Sequence, residues 1–347
     1  MNDEMNIGVM LADQLAGLLA KSVTRETWIA AETGVLPAEL WSQLDELGLK
    51  PALVPEAAGG AGLSWNDLAA VFRTLGQYVA PVPLGETMLA TWALGHAGVE
   101  QIPDGAISLV TQIMDMDEEG WLSGNDPLVP WACQTDHSVL VAKRGDESFL
   151  CLVETSNARL TPQETIGRIP SADFALEKAR PLQAVVDTNL GELGLMPHVA
   201  CLRALQMSGA LDRMLALCVE YGNTRTQFGR TIGKFQAIQH MIAELASQTA
   251  AAQMAGIYAC RRIDAGDAVH GASVAKTQVG QAAGEAAAIA HQVFGAIGVT
   301  DEHELHYYTR RLWQWRTEAG SEHWWSELLG RRVLARGGAA LWPSITG

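Results

Sequence analysis

Residues 222–234 read GNTRTQFGRTIGK, a glycine-rich turn that carries Arg225, Arg230 and Lys234 in a chain that is acidic overall. Glycines let the backbone turn tightly and approach a ligand closely. An amphipathic helix is predicted directly afterwards, because apolar residues recur at i, i+3, i+4 and i+7 over residues 238–245. Arginine side chains and the start of a helix both favour an anion. Composition alone, however, favours an ordinary solvated loop between two helices.

The segments around this turn read as helical from residue 191 to 337. Apolar residues fall on one face over residues 202–216, and residues 272–293 are rich in alanine, which suits close helix packing. Residues 305–336 form a fourth helical segment. Four long segments with short connections predict a four-helix bundle.

Residues 99–190 lose the helical periodicity. Residues 138–142 and 148–154 look like short strands on either side of a turn at 143–146, and prolines interrupt the rest. The pattern predicts a small β domain in the middle of the chain.

Residues 1–98 are again predicted to be helical. The leucines of residues 38–47 form an apolar stripe, and Gly48 ends that helix. Ser64 and Asp67 have the spacing of a capping box, which opens a helix through about residue 79, and residues 84–97 form another. The overall prediction is an α+β protein, mainly α, divided at residues 1–98, 99–190 and 191–347.

The charge is distributed unevenly along the 347 residues. The chain has 24 Lys and Arg against 39 Asp and Glu, a net charge of −15. Residues 1–120 hold 17 acidic and 4 basic side chains, whereas residues 191–347 hold 13 and 14. The acidic residues 1–120 repel phosphate groups, so nucleic acid is not an expected partner.

The remaining composition points to a globular protein of the cytoplasm. The hydrophobic fraction is 48%, and no apolar run reaches the roughly 18 residues of a membrane span. The acidic start MNDEMNIGVM does not resemble a signal peptide. Five scattered cysteines without a CxxC pair predict neither a disulfide framework nor a metal site and fit a reducing cytosol.

Three stretches carry a resemblance to a known family. RTQFGRTIGKFQAIQHMIAEL at 225–245 and HQVFGAIGVTDEHELHYYTRR at 291–311 resemble the C-terminal signatures of acyl-CoA dehydrogenases. Residues 44–64 match their N-terminal pattern LxELGLxxxxVPExxGGxGLS. The resemblance implies an N-terminal helical domain, a middle β domain and a C-terminal four-helix bundle, in the order predicted above.

The resemblance also implies a flavin chemistry. Members of the family bind FAD across a subunit interface and form a trans-2,3 double bond in an acyl-CoA thioester, while a carboxylate removes the α-proton. By motif, Arg225 contacts the pyrophosphate of FAD held by a partner subunit, and Gln292 and Gly295 approach its adenosine side. Gln227, Phe228 and Gln236 match the other flavin-contacting positions, whereas Ala296 replaces a second glycine of the family pattern.

The middle domain departs from the family. Members usually bring a Thr-Glu-Pro-x-x-Gly-Ser-Asp loop and a Trp-Ile-Thr strand to the flavin. Only Thr111 and Gln112 resemble the start of that loop, and residues 128–130 read Leu-Val-Pro where the strand motif is expected. The half of a flavin site that a subunit makes from its own β domain is therefore expected to be eroded.

The catalytic base is left open between alternatives. An ungapped match places Ala319 at the family's glutamate, whereas a one-residue gap places Glu318 there, because residues 318–321 mimic Glu-Gly-Thr-Ser. A surface carboxylate is the other interpretation of Glu318. The family's second location, on the first bundle helix, has no Asp or Glu over residues 193–211, and Gln206 cannot accept the proton.

These observations predict a flavin-dependent acyl-CoA dehydrogenase subunit that works in a hetero-oligomer with a second, complete chain. Residues 298–311 resemble the α2β2 branch of the family that acts on steroid and other bulky acyl-CoA thioesters. An electron-accepting flavoprotein is a further expected partner. The alternatives are a self-sufficient homodimer that uses Glu318 as its base, and a non-catalytic interaction protein on the same scaffold.

Overall fold

The computed structural model describes residues 7–99, 101–186 and 190–340. The chain divides into two compact units, residues 1–199 and 200–347. The first unit begins with a run of helices that precede a β-sheet. These helices are α1 (Ile7–Ser22), α2 (Arg25–Glu32), α3 (Ala38–Glu46), α4 (Trp65–Gln77) and α5 (Leu84–His96).

The start of α4 follows the predicted capping box. The hydroxyl of Ser64 accepts a hydrogen bond from the N–H of Asp67 at 3.1 Å, and the carboxylate of Asp67 accepts one from the N–H of Ser64 at 3.0 Å. Reciprocal bonds of this kind satisfy two N–H groups that the first helical turn would leave free. The helix begins one residue after Ser64 and ends at Gln77.

An aromatic cluster lies in the interior of the first unit. The rings of Trp65 and Trp92 meet edge to face with centroids 5.6 Å apart, and the ring of His198 lies 4.6 Å from that of Trp92. Burial lowers the pKa of His198 to about 3, with a further contribution from His96, so the imidazole is neutral at pH 7. The histidine acts here as a packed ring.

The middle of the chain forms one mainly antiparallel sheet of eight strands in the described residues. The strands are β1 (Ile107–Leu109), β2 (Met114–Met116), β3 (Leu122–Pro130), β4 (His137–Arg144), β5 (Glu147–Glu154), β6 (Arg159–Gln163), β7 (Ser171–Ala179) and β8 (Gln183–Val186). The order across the sheet is β6-β7-β3-β2-β4-β5-β8, and β1 pairs in parallel with β4. The two strands predicted at 138–142 and 148–154 are confirmed as the hairpin β4–β5.

The second unit contains the helices of the bundle. They are α6 (Met196–Thr224, of which the first residues belong to the first unit), α7 (Gln236–Asp264), α8 (Ala268–Phe294), α9 (Leu305–Thr317) and α10 (Glu322–Arg336). Ala-rich α8 packs against α7, α9 and α10. The fold class predicted from the sequence is confirmed, whereas the three domain boundaries remain a prediction.

The fourth bundle segment, predicted as continuous over residues 305–336, is two helices. Ala319 and Gly320 have φ values of 50° and 90°, in the left-handed region that ends a helix. The hydroxyl of Ser321 then accepts from the N–H of Trp324 and caps α10. The interruption places Glu318 at the end of α9.

Helix length, free thiols and side-chain clusters among the described residues bear on membrane crossing, disulfide formation and metal binding. Among the described residues, no single helix has the length and apolarity to cross a membrane; α1 and α2, bent by 87°, pass that test only as a pair. All five cysteines are free, and the described residues contain no group of three or more His, Cys, Asp or Glu side chains placed to hold a metal ion.

Candidate functional site

Residues 225–235 connect α6 to α7 and contain a β-hairpin with a two-residue loop. Its strands are β9 (Thr226–Gln227) and β10 (Arg230–Thr231), with Arg230 opposite Gln227. The connecting residues Phe228 and Gly229 have φ values of 51° and 77°, a pair of positive angles that matches the twist of a tight hairpin. Phe228 lies at the tip of the hairpin and is 89% exposed.

Aromatic contacts fix the hairpin to the start of α7. The guanidinium of Arg230 lies 4.2 Å from the centroid of the Phe235 ring, and the ring of Phe228 meets the same ring edge to face at 6.1 Å. The backbone is also tight, since a Cβ on Gly233 would lie 2.8 Å from the carbonyl oxygen of Gly222. Arg230 is therefore held in place by a cation–π contact before any ligand arrives.

A cavity of about 820 Å³ opens beside this hairpin, entirely within the second unit. Its walls come from the hairpin, from the adjoining parts of α6 and α7, and from the end of α8. The lining residues include Arg225, Gln227, Phe228, Gln292, Gly295 and Ala296, together with Tyr221, Ile232, Phe235, Ala237, Ile238, Val293, Phe294 and Ile297. Five of the six predicted FAD-contacting residues, which come from two distant stretches of the sequence, thus meet at one cavity.

Gln236 is the predicted residue that does not line the cavity. It is the first residue of α7, is exposed, and stands next to Ala237, which does line it. The free N–H groups of the first helical turn lie at the same end of α7 and contribute partial positive charge.

A stacked pair of rings joins the two sides of the cavity. The rings of Tyr221 and Phe294 are 4.4 Å apart and inclined by 25°, and His303 packs on Phe294 at 4.4 Å. The carbonyl oxygen of Tyr221 accepts from the N–H of Arg225 at 2.9 Å. These contacts fix the distance between the arginine and the end of α8, and neither Tyr221 nor Phe294 was singled out from the sequence.

The chemistry of this cavity suits a ligand with both anionic oxygens and flat rings. Arg225 offers a planar fork for phosphate oxygens. Aromatic rings and aliphatic side chains supply most of the remaining wall, and two glutamine amides can donate or accept. A dinucleotide combines these features, so the residues present fit one side of FAD.

Glu318 lies in a second cluster, in the buried interior of the second unit. Its Oε2 accepts from the Nε of Arg203 at 2.5 Å, and its Oε1 accepts from the Nε2 of Gln314 at 2.6 Å. Arg203 in turn donates to the Oε1 of Gln206 at 2.7 Å. The side chains of Arg203 and Glu318 are 2% and 5% exposed, so this is a buried ion pair with both carboxylate oxygens engaged.

Lys276 holds the backbone of the same turn from α8. Its Nζ donates to the carbonyl oxygens of Trp315 at 2.7 Å, Arg316 at 3.1 Å and Glu318 at 2.8 Å. Burial lowers the pKa of Lys276 to about 7, against the opposing effect of the Glu318 carboxylate. A lysine amine at the end of a helix donates to carbonyl groups that have no partner within the helix.

Comparisons with known proteins agree with these motifs. Residues 9–104 match the model "Acyl-CoA dehydrogenase, N-terminal domain", and residues 195–334 match "Acyl-CoA dehydrogenase, C-terminal domain". The curated protein "Acyl-CoA dehydrogenase IpdE2" of Mycobacterium tuberculosis is 31% identical over 343 residues, which span 96% of this chain and 97% of that protein. The chain belongs to the acyl-CoA dehydrogenase family.

Solved structures share the acyl-CoA dehydrogenase fold. The ChsE4-ChsE5 complex from Mycobacterium tuberculosis superimposes with a TM-score of 0.87 at 22% identity, over 97% of this chain and 99% of that one. A structure described as "Tcur3481-Tcur3483 steroid ACAD G363A variant" gives 0.85 at 24% identity, over 96% and 98%. The resemblance stated from the motifs is therefore confirmed at the level of family and fold.

The structure adds two residues near Glu318 that sequence reasoning missed. Residues 193–211 are mostly apolar and include no acidic residue, yet they contain Arg203. A lone arginine among buried positions requires a counter-ion from another element. That signal was present in the sequence, and so was the isolated Lys276 in the Ala-rich helix.

Proposed function

We propose that this chain is one subunit of a hetero-oligomeric acyl-CoA dehydrogenase and contributes half of an interfacial FAD site to a catalytic partner subunit. The observation that carries the proposal is the cavity beside the hairpin, where Arg225, Gln227 and Phe228 meet Gln292 and Gly295. The family uses FAD, which when bound accepts the hydride that leaves the β-carbon of the acyl-CoA. The reaction assigned to the assembly is α,β-dehydrogenation of an acyl-CoA thioester.

In this proposal, different residues of this chain contact different parts of FAD. Arg225 would hold the pyrophosphate of an FAD bound mainly by the partner, and Gln292 and Gly295 would contact its adenosine side. Gln227, Phe228 and Gln236 complete the contact from the hairpin and the first turn of α7. Ala296 lines the cavity where the family usually has glycine, so the backbone there is kept farther from the ligand by one methyl group.

The partner subunit supplies the base in this proposal. A general base needs a lone pair that can reach the substrate proton. Both oxygens of Glu318 already accept hydrogen bonds from Arg203 and Gln314 inside the protein. Glu318 as the base of a self-sufficient homodimer remains the alternative, and it requires that this ion pair opens during turnover.

The proposed partner and substrate class are supported by relatives and by a sequence motif. ChsE4-ChsE5 is a complex of two different proteins, and the Tcur3481-Tcur3483 variant is described as a steroid ACAD. Together with the motif at 298–311, these relatives support a heteromeric partner and a bulky or steroid acyl-CoA substrate. An electron-accepting flavoprotein and a cytoplasmic location, supported by five free cysteines, complete the proposal.

Flavin content tests the proposal. The chain is purified alone and co-expressed with a candidate partner dehydrogenase, and FAD is measured by absorbance. FAD in the complex but not in the free chain is expected. FAD and thioester oxidation by the chain alone would support the homodimer, and a complex without FAD would support a non-catalytic interaction protein.

A pair of arginine variants makes the test specific. Arg225→Ala is expected to remove most FAD from the complex, because a charge-assisted contact to the pyrophosphate is lost. Arg331→Ala is the matched control, since Arg331 is exposed on α10 and pairs with Glu327 one turn away. Equal FAD retention in both variants would contradict the role of Arg225.

A further inference from the structure

The buried carboxylate of Asp126 accepts hydrogen bonds from the N–H groups of two separate segments of the β domain. The Oδ2 of Asp126 accepts from the N–H of Thr111 at 2.8 Å, from the N–H of Gln112 at 3.0 Å, and from the hydroxyl of Thr111 at 3.1 Å. Its Oδ1 accepts from the N–H of Leu128 at 3.2 Å. Four donors therefore converge on one side chain that is 3% exposed.

The local fold explains how Asp126 reaches this position. Asp126 lies on β3 opposite Phe174, and its neighbours Asn125 and Pro127 are exposed, so its side chain points to the inner face. The pairing of β3 with β7 then shifts register between Asp126 and Val129. The irregularity leaves the N–H of Leu128 directed at the carboxylate instead of at the neighbouring strand.

The donors belong to the two segments that stand in place of the family's flavin loop and flavin strand. Thr111 and Gln112 follow β1, and Leu128 stands where the first residue of the strand motif is expected. Backbone N–H groups that converge in this way can receive an acceptor atom of a ligand. In this chain an internal carboxylate already occupies that place.

We infer that Asp126 prevents flavin from binding to the β domain of this chain. Its carboxylate already accepts the hydrogen bonds that these backbone N–H groups would otherwise donate to a bound cofactor. An entering ligand would have to displace a buried, fully hydrogen-bonded carboxylate and leave it without partners, which is costly. The negative charge also repels a flavin diphosphate or a reduced, anionic ring. This inference rests on the proposed function, because it explains why the chain offers only the half of the site beside its hairpin.

Hydrogen exchange of the complex shows whether FAD contacts the hairpin of this chain, its β domain or both. The complex with the partner dehydrogenase is measured by mass spectrometry without and with added FAD. Peptides covering residues 222–238 are expected to become protected, whereas those covering 107–130 remain unchanged. FAD-dependent protection of 107–130 would overturn the inference. Protection of neither segment would count against the proposed function but would still agree with a closed β domain.

Variants of Asp126 test the closing contact itself. Asp126→Ala should make the amides of residues 111, 112 and 128 exchange about tenfold faster or more, as expected when hydrogen bonds of about 1.5 kcal/mol are lost. Asp115→Ala is the control, because Asp115 is an exposed carboxylate on the neighbouring strand. If Asp126→Ala does not fold, Asp126→Asn keeps an acceptor oxygen without the charge and should show a smaller acceleration. Unchanged exchange at all three amides in Asp126→Asn and Asp126→Ala would refute the contact.

Discussion

Arg203 and Glu318, 115 residues apart in sequence, form a buried ion pair in which the guanidinium Nε lies 2.5 Å from a carboxylate oxygen. The pair connects the first bundle helix to the turn after α9. Its other contacts, to Gln206 and Gln314, satisfy further polar atoms within the same interior cluster. A residue that matches a catalytic motif is thereby part of the core.

Arg203→Met should lower the free energy of unfolding by about 3–5 kcal/mol, because it leaves the carboxylate of Glu318 buried without its cation. Urea denaturation followed by circular dichroism measures the change. The double variant Arg203→Met, Glu318→Leu should lose less than Arg203→Met alone, since both charges are removed. A double variant that is less stable than the single one would contradict the ion-pair account.

Glu318→Gln should leave the kcat of the proposed hetero-oligomeric complex within about threefold of the wild type and should reduce the stability of this chain. The amide keeps the shape and one acceptor but removes the charge that pairs with Arg203. Removing a true general base lowers kcat by about 10²-fold or more. Steady-state oxidation of an acyl-CoA thioester by the FAD-loaded complex distinguishes the two, and a loss of that size would establish Glu318 as the base.

Lys276 should make stability depend on pH in the alkaline range. Burial lowers its pKa from 10.5 to about 7 in the folded chain, so between these values the unfolded chain binds one more proton than the folded one. Stability therefore increases as the pH rises from 7 to about 10.5, and is lower below pH 7. The free energy of unfolding is measured against pH for the wild type and for Lys276→Met, so that the contribution of other titrating groups can be subtracted. If the two stability-versus-pH curves are parallel, Lys276 does not cause this pH dependence.

His198 should contribute to acid destabilisation. Because burial lowers its pKa from 6.5 to about 3, only the unfolded chain is protonated between these values. The stability associated with His198 is complete above about pH 6.5 and is lost as the pH falls toward 3. His198→Phe keeps a ring between Trp65 and Trp92, so its unfolding free energy should fall less between pH 6.5 and 4. Melting temperatures across this range measure the difference.

Gly229→Ala should weaken FAD binding by the proposed complex, with little change in its melting temperature. Gly229 has a φ of 77°, where a Cβ costs about 1–2 kcal/mol, and the strain acts on the exposed hairpin. Gly229→Asn is the control, since asparagine tolerates this conformation. Isothermal titration with FAD compares the variants, and equal affinities would show that the hairpin geometry is not needed for binding.

Local signals predicted a large part of the fold. The capping box of Ser64 and Asp67 and the hairpin of β4 and β5 depend on neighbouring residues, so their patterns are visible in the sequence. The hairpin at Phe228 was missed because phenylalanine rarely adopts a positive φ, and the turn lacks the usual Asn-Gly or Asp-Gly pair. The break at Ala319 was missed for a similar reason.

The candidate site shows where sequence patterns stop being informative. The motif resemblance selected Arg225 and Gln292, which the fold brings to one cavity. The partners of Glu318 and the donors around Asp126 depend on contacts between distant or irregular segments. No spacing rule describes such contacts, because they are set by how helices and strands pack and not by the helical or strand period.

The exposed ring of Phe228 has a consequence for how the protein is made. Phe228 is 89% exposed at the tip of the β9–β10 hairpin, so a free copy of this chain leaves that ring in water until the proposed partner subunit packs against it. In the proposed hetero-oligomer, a partner subunit present in at least an equal amount would cover that ring soon after translation. Recombinant yield should therefore depend on the ratio of the two genes on the expression plasmid, with excess partner giving the most recoverable protein.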